Sequence, residues 1–200
     1  MYSKLGKRIF DVIFALVAFL ILLPVLIIIS LFIKVDSQGP VFFLQERIGE
    51  GGQIFSLIKF RSMYKDDFQE NKEFTPGDTS RITRLGKILR KTKIDELPQI
   101  INVLMGDMSL VGPRPEVPKY RHVYEGSFET LLNLRPGITG PGSIKYRNEE
   151  DILNASLNPT GLYESEILPD KLRLALEYKK KVTFRSDVKI LCSTFVRIFN

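Results

Sequence analysis

Cysteine and histidine are almost missing from this chain. Among 200 residues there is one of each, Cys192 and His122. A single cysteine excludes an intrachain disulfide and suits a reducing compartment, and no Cys/His cluster exists that could hold zinc. The lone His122 reads as an ordinary surface or boundary residue. Tryptophan is absent, and so are three signatures of nucleotide handling. There is no Gly-x4-Gly-Lys-Ser/Thr loop, no Gly-x-Gly-x-x-Gly turn and no Asp-x-Asp pair. These gaps argue against P-loop hydrolysis, dinucleotide redox chemistry and a metal-clamping glycosyltransferase. Negative charge is also short: 29 Lys and Arg against 23 Asp and Glu leave +6 at pH 7. A basic surplus points to anionic partners, among them nucleic acid, acidic lipid headgroups and phosphorylated substrates. The length and a 44% apolar content suit one compact domain with an accessory segment.

The accessory segment lies at the N-terminal end. Val12 to Ile33 is an uncharged apolar run of 22 residues. As a straight helix it would cover roughly 33 Å, about one bilayer core. The run is too long for a typical signal-peptide core and lacks a small-residue cleavage site. It is also apolar all round, unlike most helices of a soluble core. Membrane insertion is the expectation, with residues 1–34 as the membrane segment and 35–200 as the body. Pro24, near the middle, removes one backbone donor and crowds the carbonyl of Leu20, which predicts a kink. Basic residues flank both ends (Lys7 and Arg8 before, Lys34 after), so charge gives no clear orientation. A spanning anchor and a helix that dips in and returns both remain open on the residues alone.

In the body, Val41 to Gln45 and Gln53 to Phe60 read as strands of a hairpin turning at Glu50-Gly51-Gly52. Lys65 to Ser80 reads as a loop. Arg81 to Lys91 places Ile82, Leu85, Ile88 and Leu89 on one helical face and Arg81, Arg84, Lys87 and Lys91 largely on the other, which suits an interfacial helix or a solvated one. Asp95 to Met105 reads as one helix, with Pro98 tolerated in its first turn. Gly106 to Pro118 reads as turn-rich and Val117 to Leu134 as largely helical. Arg135 to Gly142 reads as a loop and Glu149 to Thr160 as a polar stretch. Two helices follow, near Asp170 to Lys181 and Asp187 to Phe199. Val188, Leu191, Phe195 and Ile198 share a face of the last.

The adjacent carboxylates Asp95 and Glu96 are the main chemical candidates. At a helix start, backbone N–H groups and the dipole would keep a carboxylate ionised and attract phosphate. An ionised carboxylate can attack phosphorus and form an acyl phosphate, while its neighbour holds Mg²⁺ or orients the nucleophile. A first-turn acidic pair that only caps a helix is the plainer alternative. Arginines tilt the balance. Arg90 lies five residues before Asp95, Arg114 is held between two prolines, Arg135 precedes Pro136-Gly137, and Arg147 sits in Lys-Tyr-Arg-Asn. Lys59 and Arg61 end the second strand. Guanidinium groups on stiff loops suit diphosphate recognition.

Three blocks carry a resemblance. Lys59 to Met63 (KFRSM), Lys93 to Pro115 (KIDELPQIINVLMGDMSLVGPRP) and Arg135 to Gly140 (RPGITG) look like the signature segments of the bacterial sugar transferases. These are the monotopic phosphoglycosyl transferases that begin exopolysaccharide, O-antigen or glycoprotein glycan assembly. The likeness covers nearly the whole chain, to about Val188. It implies an α+β, mainly helical fold at the cytoplasmic face of the bacterial inner membrane. A re-entrant helix broken at Pro24 would precede a catalytic domain with a small β-hairpin and amphipathic interfacial helices. It further implies that Asp95 attacks a UDP-sugar, releases UMP and keeps a sugar-phosphate, which polyprenol phosphate such as undecaprenyl phosphate then collects. Glu96, with Asp95, would hold Mg²⁺. Lys59, Arg90, Arg114 and Arg147 match phosphate- and substrate-binding positions, with Arg135 and Asp187 as possible support. Implied partners are the UDP-sugar, the polyprenol phosphate and anionic membrane lipids, and not nucleic acid. Two positions depart from the pattern: Leu23 replaces a common serine before Pro24, and Ala175 replaces a usual aspartate in LALEY.

Two rivals stand beside this reading. One is a membrane-tethered binding protein that uses its basic face on nucleic acid or lipid, although few aromatics accompany Arg81 to Lys93 for base stacking. The other is a one-step transferase in which Asp95 acts as a base on the lipid phosphate.

Overall fold

The computed structural model describes residues 4–64 and 81–199, with the side chains of residues 198 and 199 excepted. The expected loop at Lys65 to Ser80 therefore lies outside the described residues, as does the Ile198 side chain. The described chain is mainly helical. A single helix α1, Lys4–Asp36, runs on through Pro24. It is the one described helix long and apolar enough to cross a membrane. Most of its side chains are exposed, so it does not serve as the core helix of a soluble domain.

One stripe of α1 meets the body. Phe10, Ala15, Ala18 and Phe19 join one apolar cluster, and Phe19, Leu22, Leu26, Ile29 and Ile33 join another. The three- and four-residue steps keep these side chains on one face of the helix. The body thus lies along α1 over nearly its whole length. Polar groups fix the start of the helix. Arg8 donates to the carbonyls of Val103 at 2.7 Å and Leu104 at 3.1 Å. Asp11 accepts from the Leu110 amide at 3.1 Å.

Strands β1 (Phe42–Ile48) and β2 (Ile54–Phe60) form the expected antiparallel hairpin, with β1 starting one residue later than expected and running three residues further, to Ile48. At the far end of α1, Arg61 caps the chain. Its guanidinium donates to the carbonyls of Ser37, at 2.7 Å, and Gln38. Helix α2 spans Arg84–Lys91 rather than starting at Arg81, because the Thr83 hydroxyl accepts from the Gly86 amide as an N-cap. Gly86 permits this docking: a Cβ there would lie 2.0 Å from the Ser62 carbonyl oxygen.

The expected helix from Asp95 to Met105 is two pieces. Ile94–Glu96 is a 3₁₀ turn and helix α3 is Gln99–Met105. Lys93 adopts a left-handed φ of 59°, and Pro98 has no N–H to continue an α-ladder. The turn closes instead through i→i−3 bonds, Glu96 to Lys93 and Leu97 to Ile94. Asp95 therefore does not open an α-helix.

Past α3 the sequence reading missed a second sheet. Strands β3 (Ser109–Val111) and β4 (Gly137–Thr139) pair in parallel inside segments that read as turn and loop. Three residues each are too short for a period to show. Gly137 is required because a Cβ would sit 2.0 Å from the Gly112 nitrogen. Between these strands, Pro118–Tyr124 and Gly126–Asn133 are 3₁₀ segments, not the α-helix expected over Val117 to Leu134. Short helices α4 (Pro141–Lys145), α5 (Glu149–Asn154) and α6 (Pro159–Leu162) follow. Helices α7 (Leu168–Lys180) and α8 (Phe184–Phe199) complete the body.

Asn102 joins the hairpin to α3. It is fully buried, accepts from the Ile58 amide at 2.9 Å and donates to the Ser56 carbonyl at 2.8 Å. Asn102→Ala strands both backbone groups along the edge that carries Lys59. The expected cost is about 3 kcal/mol, seen as a lower melting temperature in detergent. An unchanged melt would show that the side chain does not hold the hairpin.

Candidate functional site

Residues far apart in sequence converge on Glu96. The hairpin delivers Lys59 from the last turn-free stretch of β2, with Nζ 3.4 Å from Glu96 Oε1. The loop after β3 delivers Arg114, whose two terminal nitrogens grip both Glu96 oxygens, one at 3.1 Å. Pro113 and Pro115 restrict the backbone on either side of this arginine. The result is a bidentate, partly buried ion pair. Burial alone would raise the Glu96 carboxyl, but Arg114, then Lys59, outweigh it and hold the carboxyl well below the usual range. Arg114 is raised in turn, chiefly by Glu96. Lys59 is pushed down by burial, which Glu96 offsets only in part. Arg114 is thus the principal partner of Glu96.

Asp95 has the opposite environment. It is 8% exposed, and its Oδ1 is buried without a hydrogen-bond partner. Burial, and then the Glu96 charge, push its carboxyl up, while Lys59, Lys93 and Arg90 act against that shift. The expected stabilisation of the charged form by a helix start is not found, since the 3₁₀ turn supplies no free α-helical N-terminus. Asp95 is a desolvated carboxylate ringed by cations that are not bonded to it.

Arg90 reaches across 60 residues of sequence to Glu150, NH2 to Oε1 at 2.6 Å. Glu149, next in the same turn of α5, pairs with the buried Lys171 of α7. The acidic run Glu149 to Asp151, read from sequence as a polar stretch, thus supplies anions to two basic residues near the centre. Arg147 is half-buried in the turn between α4 and α5, three residues before Glu150. Arg135 pairs with Glu50 at the hairpin turn, Nε to Oε2 at 2.9 Å, and is not part of the Glu96 cluster. Asp187 is fully buried. It accepts from Lys7 at 2.6 Å and from the Tyr178 hydroxyl at 2.7 Å, so it clasps α1, α7 and α8 together.

Sequence reasoning missed Arg47 and Glu116. Arg47 is buried on β1, donating to the Pro115 carbonyl at 3.0 Å and to Gln45 at 2.7 Å. Glu116, also buried, accepts from the Tyr163 hydroxyl at 2.6 Å. Together they brace the loop that presents Arg114. Arg47 lies beyond the Val41 to Gln45 strand read from the sequence, next to Gln45 and Glu46, so no local pattern marked it. Ala175 lines a small cleft with Arg114, Pro141 and Lys171.

Such a centre can bind a polyanion through Arg114, Lys59, Arg90 and Lys93 while keeping one carboxylate uncommitted. Among the described residues no three His, Cys, Asp or Glu side chains cluster as a metal cage. Mg²⁺ does not require one, because it commonly takes one or two carboxylates and fills its shell with water and substrate phosphate. The buried, unpartnered Asp95 Oδ1 fits that role, and Glu96 fits it only by sharing an oxygen with Arg114 or Lys59.

Cations gathered beside two adjacent carboxylates, on a body laid along one long apolar helix, make an arrangement compatible with a membrane anchor and with binding of phosphate. The chain belongs to the bacterial sugar transferase family, whose sequence profile matches residues 2–200. It is 37% identical to an undecaprenyl-phosphate glucose phosphotransferase of Komagataeibacter xylinus, covering 98% of this chain and 36% of that protein. It is also 37% identical to the UDP-glucose:undecaprenyl-phosphate glucose-1-phosphate transferase of Escherichia coli K12, covering 98% and 41%. A putative undecaprenyl-phosphate N-acetylgalactosaminyl 1-phosphate transferase of Bacillus subtilis is 40% identical, covering 72% and 79%. The chain spans about two fifths or less of the length of several such relatives.

The two carboxylates should behave oppositely on neutralisation. The Asp95 carboxyl is raised in the folded state, so its ionisation costs stability as pH climbs through that raised value. Asp95→Asn should melt at or above the wild-type temperature at pH 7, with the advantage vanishing in acid. The Glu96 carboxyl is depressed, so its contribution is present above the ordinary value of 4.5 and fades as pH falls. Glu96→Gln should cost about 3 kcal/mol at pH 7 and less below pH ~4. Melting curves of both variants against pH test the assignment, and a stabilised Glu96→Gln would reverse it.

Proposed function

We propose that this chain transfers a sugar-1-phosphate from a UDP-sugar to a polyprenol phosphate through a covalent intermediate on Asp95. The observation that carries this reading is the contrast within the pair. Glu96 is fully matched by Arg114 and Lys59, whereas Asp95 is desolvated with an oxygen unpartnered. A carboxylate stripped of water and left uncommitted is a stronger nucleophile than a paired one. Family membership and the printed names of the relatives supply the substrate class.

In the first step an Asp95 oxygen bonds to the β-phosphorus of the UDP-sugar. The bond from that phosphorus to the bridging oxygen breaks, and UMP departs with the electron pair. In the second step a phosphate oxygen of the lipid attacks the same phosphorus, Asp95 leaves as a carboxylate, and a polyprenol-diphosphate-sugar forms. Arg114, Lys59 and Arg90 hold the phosphate charges, as fixed cations do best where charge builds up. Glu96 orients Arg114 and Lys59. Mg²⁺, held by Glu96 and one Asp95 oxygen, would neutralise diphosphate charge when bound.

Labelled UDP-glucose and UDP-N-acetylgalactosamine, then a wider set of UDP-sugars, test the route without lipid present. Wild type should release UMP and retain label, Asp95→Asn should do neither, and Glu96→Gln should do both more slowly. Full turnover by Asp95→Asn, or product formation with no labelled enzyme under rapid quench, refutes the covalent route. The raised Asp95 carboxyl also predicts an acid limb in the rate profile above the ordinary aspartate value of 3.8.

The same reading takes α1 as a re-entrant helix at the cytoplasmic face of the bacterial inner membrane. Body contacts extend along α1 from Phe10 to Ile33. A helix crossing the bilayer upright would draw that body into hydrocarbon, where its polar backbone could not be hydrated. Leu5 and Val35, 70% and 87% exposed, mark the two ends. With the exposed Cys192 replaced by serine, Leu5→Cys and Val35→Cys should both react with an impermeant thiol reagent from the cytoplasmic side only. Labelling from opposite sides means that α1 spans.

A further inference from the structure

Beside Lys59 the hairpin carries an aromatic side chain that the transfer scheme leaves unused. Phe43 stands directly across from Lys59 in the β1–β2 register. Side chains of such a pair project from the same face, with Cβ atoms about 5 Å apart. Lys59 reaches Glu96, so Phe43 sits at the rim of the charged centre. It is 50% exposed and belongs to none of the three apolar clusters. Its neighbours Phe42 and Leu44 are 40% and 60% exposed. Successive strand side chains alternate faces, so these two project from the opposite side of the hairpin, and it is Val41, two residues before Phe43, that shares its face.

The face that carries Phe43 runs on to α1. Residues 37–41 alone separate α1 from β1, and Val41 packs in the cluster that holds Ile29 and Ile33 of the helix. The exposed apolar side chains of Leu31, Phe32 and Val35 on α1 lead up to that junction.

We propose that Phe43 is a substrate-positioning residue for the lipid. Its ring holds the first isoprene units of the polyprenol phosphate while Lys59, beside it, draws the lipid phosphate toward Asp95. The proposal rests on the transfer reaction described above. A lipid phosphate joins an apolar chain to an anion, and the Phe43–Lys59 pair offers an apolar face and a cation side by side. Phe43 could instead stack on the uracil of the donor, but the continuity of its face with α1 through Val41 favours the lipid.

The test separates the half-reactions in the full-length protein. With undecaprenyl phosphate in detergent micelles, Phe43→Ala should raise KM for the lipid about tenfold. KM for the UDP-sugar and the rate of enzyme labelling without lipid should stay within about twofold. Phe43→Leu, apolar but without a ring, should restore the lipid KM. An equal loss in labelling and lipid transfer, or rescue by Phe43→Tyr and not by Phe43→Leu, overturns the proposal in favour of base stacking. An unchanged lipid KM in Phe43→Ala also overturns it. Failure of wild type to form any labelled enzyme defeats the covalent reading itself, and is distinguished by appearing before any variant is made. An unchanged melting temperature in Phe43→Ala confirms that the effect is on the substrate.

Discussion

The unequal sharing of cations between two adjacent carboxylates organises this site. Arg114 is bidentate on Glu96, and Lys59 adds a third contact to the same side chain. Once those donors are committed, Asp95 is left in the same desolvated place with charge near it but no bond to Oδ1. Equal solvation of the pair would give two ordinary acids. Their inequality gives one charge-paired side chain and one left uncommitted, and it depends on Arg114 arriving from a different part of the chain. That arrival depends on the short β3–β4 pairing and on Arg47 bonding the Pro115 carbonyl.

A second constraint is the length of contact between α1 and the body. Arg8 satisfies carbonyls at the end of α3, Asp11 satisfies the Leu110 amide, and Lys7 meets the buried Asp187. Lys7 and Arg8 flank an apolar run, and from sequence their charge gives no clear membrane orientation. In the folded protein they are structural, fixing one end of α1 while Arg61 fixes the chain beyond the other. A helix held at both ends by one body sets the depth of the charged centre relative to any bilayer that receives its exposed face. The charged centre and the apolar surface are therefore mechanically one unit.

Several sequence expectations failed for a common reason. The second sheet rests on strands of three residues, too brief to show alternation. The helix expected across Asp95 broke at Lys93 and Pro98 because one left-handed residue and one missing N–H outweighed a favourable apolar pattern. Arg135 and Asp187 carried the same residue chemistry as Arg114 and Asp95, yet one pairs with Glu50 and the other is sealed beneath Tyr178. Nothing local to their segments distinguishes these outcomes.

The sequence alone determined the long apolar helix, the hairpin, the basic surplus and the carboxylate pair, because each is written in contiguous residues whose period or charge acts locally. It also carried the family resemblance, since the signature blocks are contiguous too. Only tertiary structure decided which cations meet Glu96, that Asp95 is left uncommitted, and that α1 lies along the body. Those outcomes depend on side chains tens of residues apart competing for the same few buried positions, and burial multiplies the effect of each charge that wins.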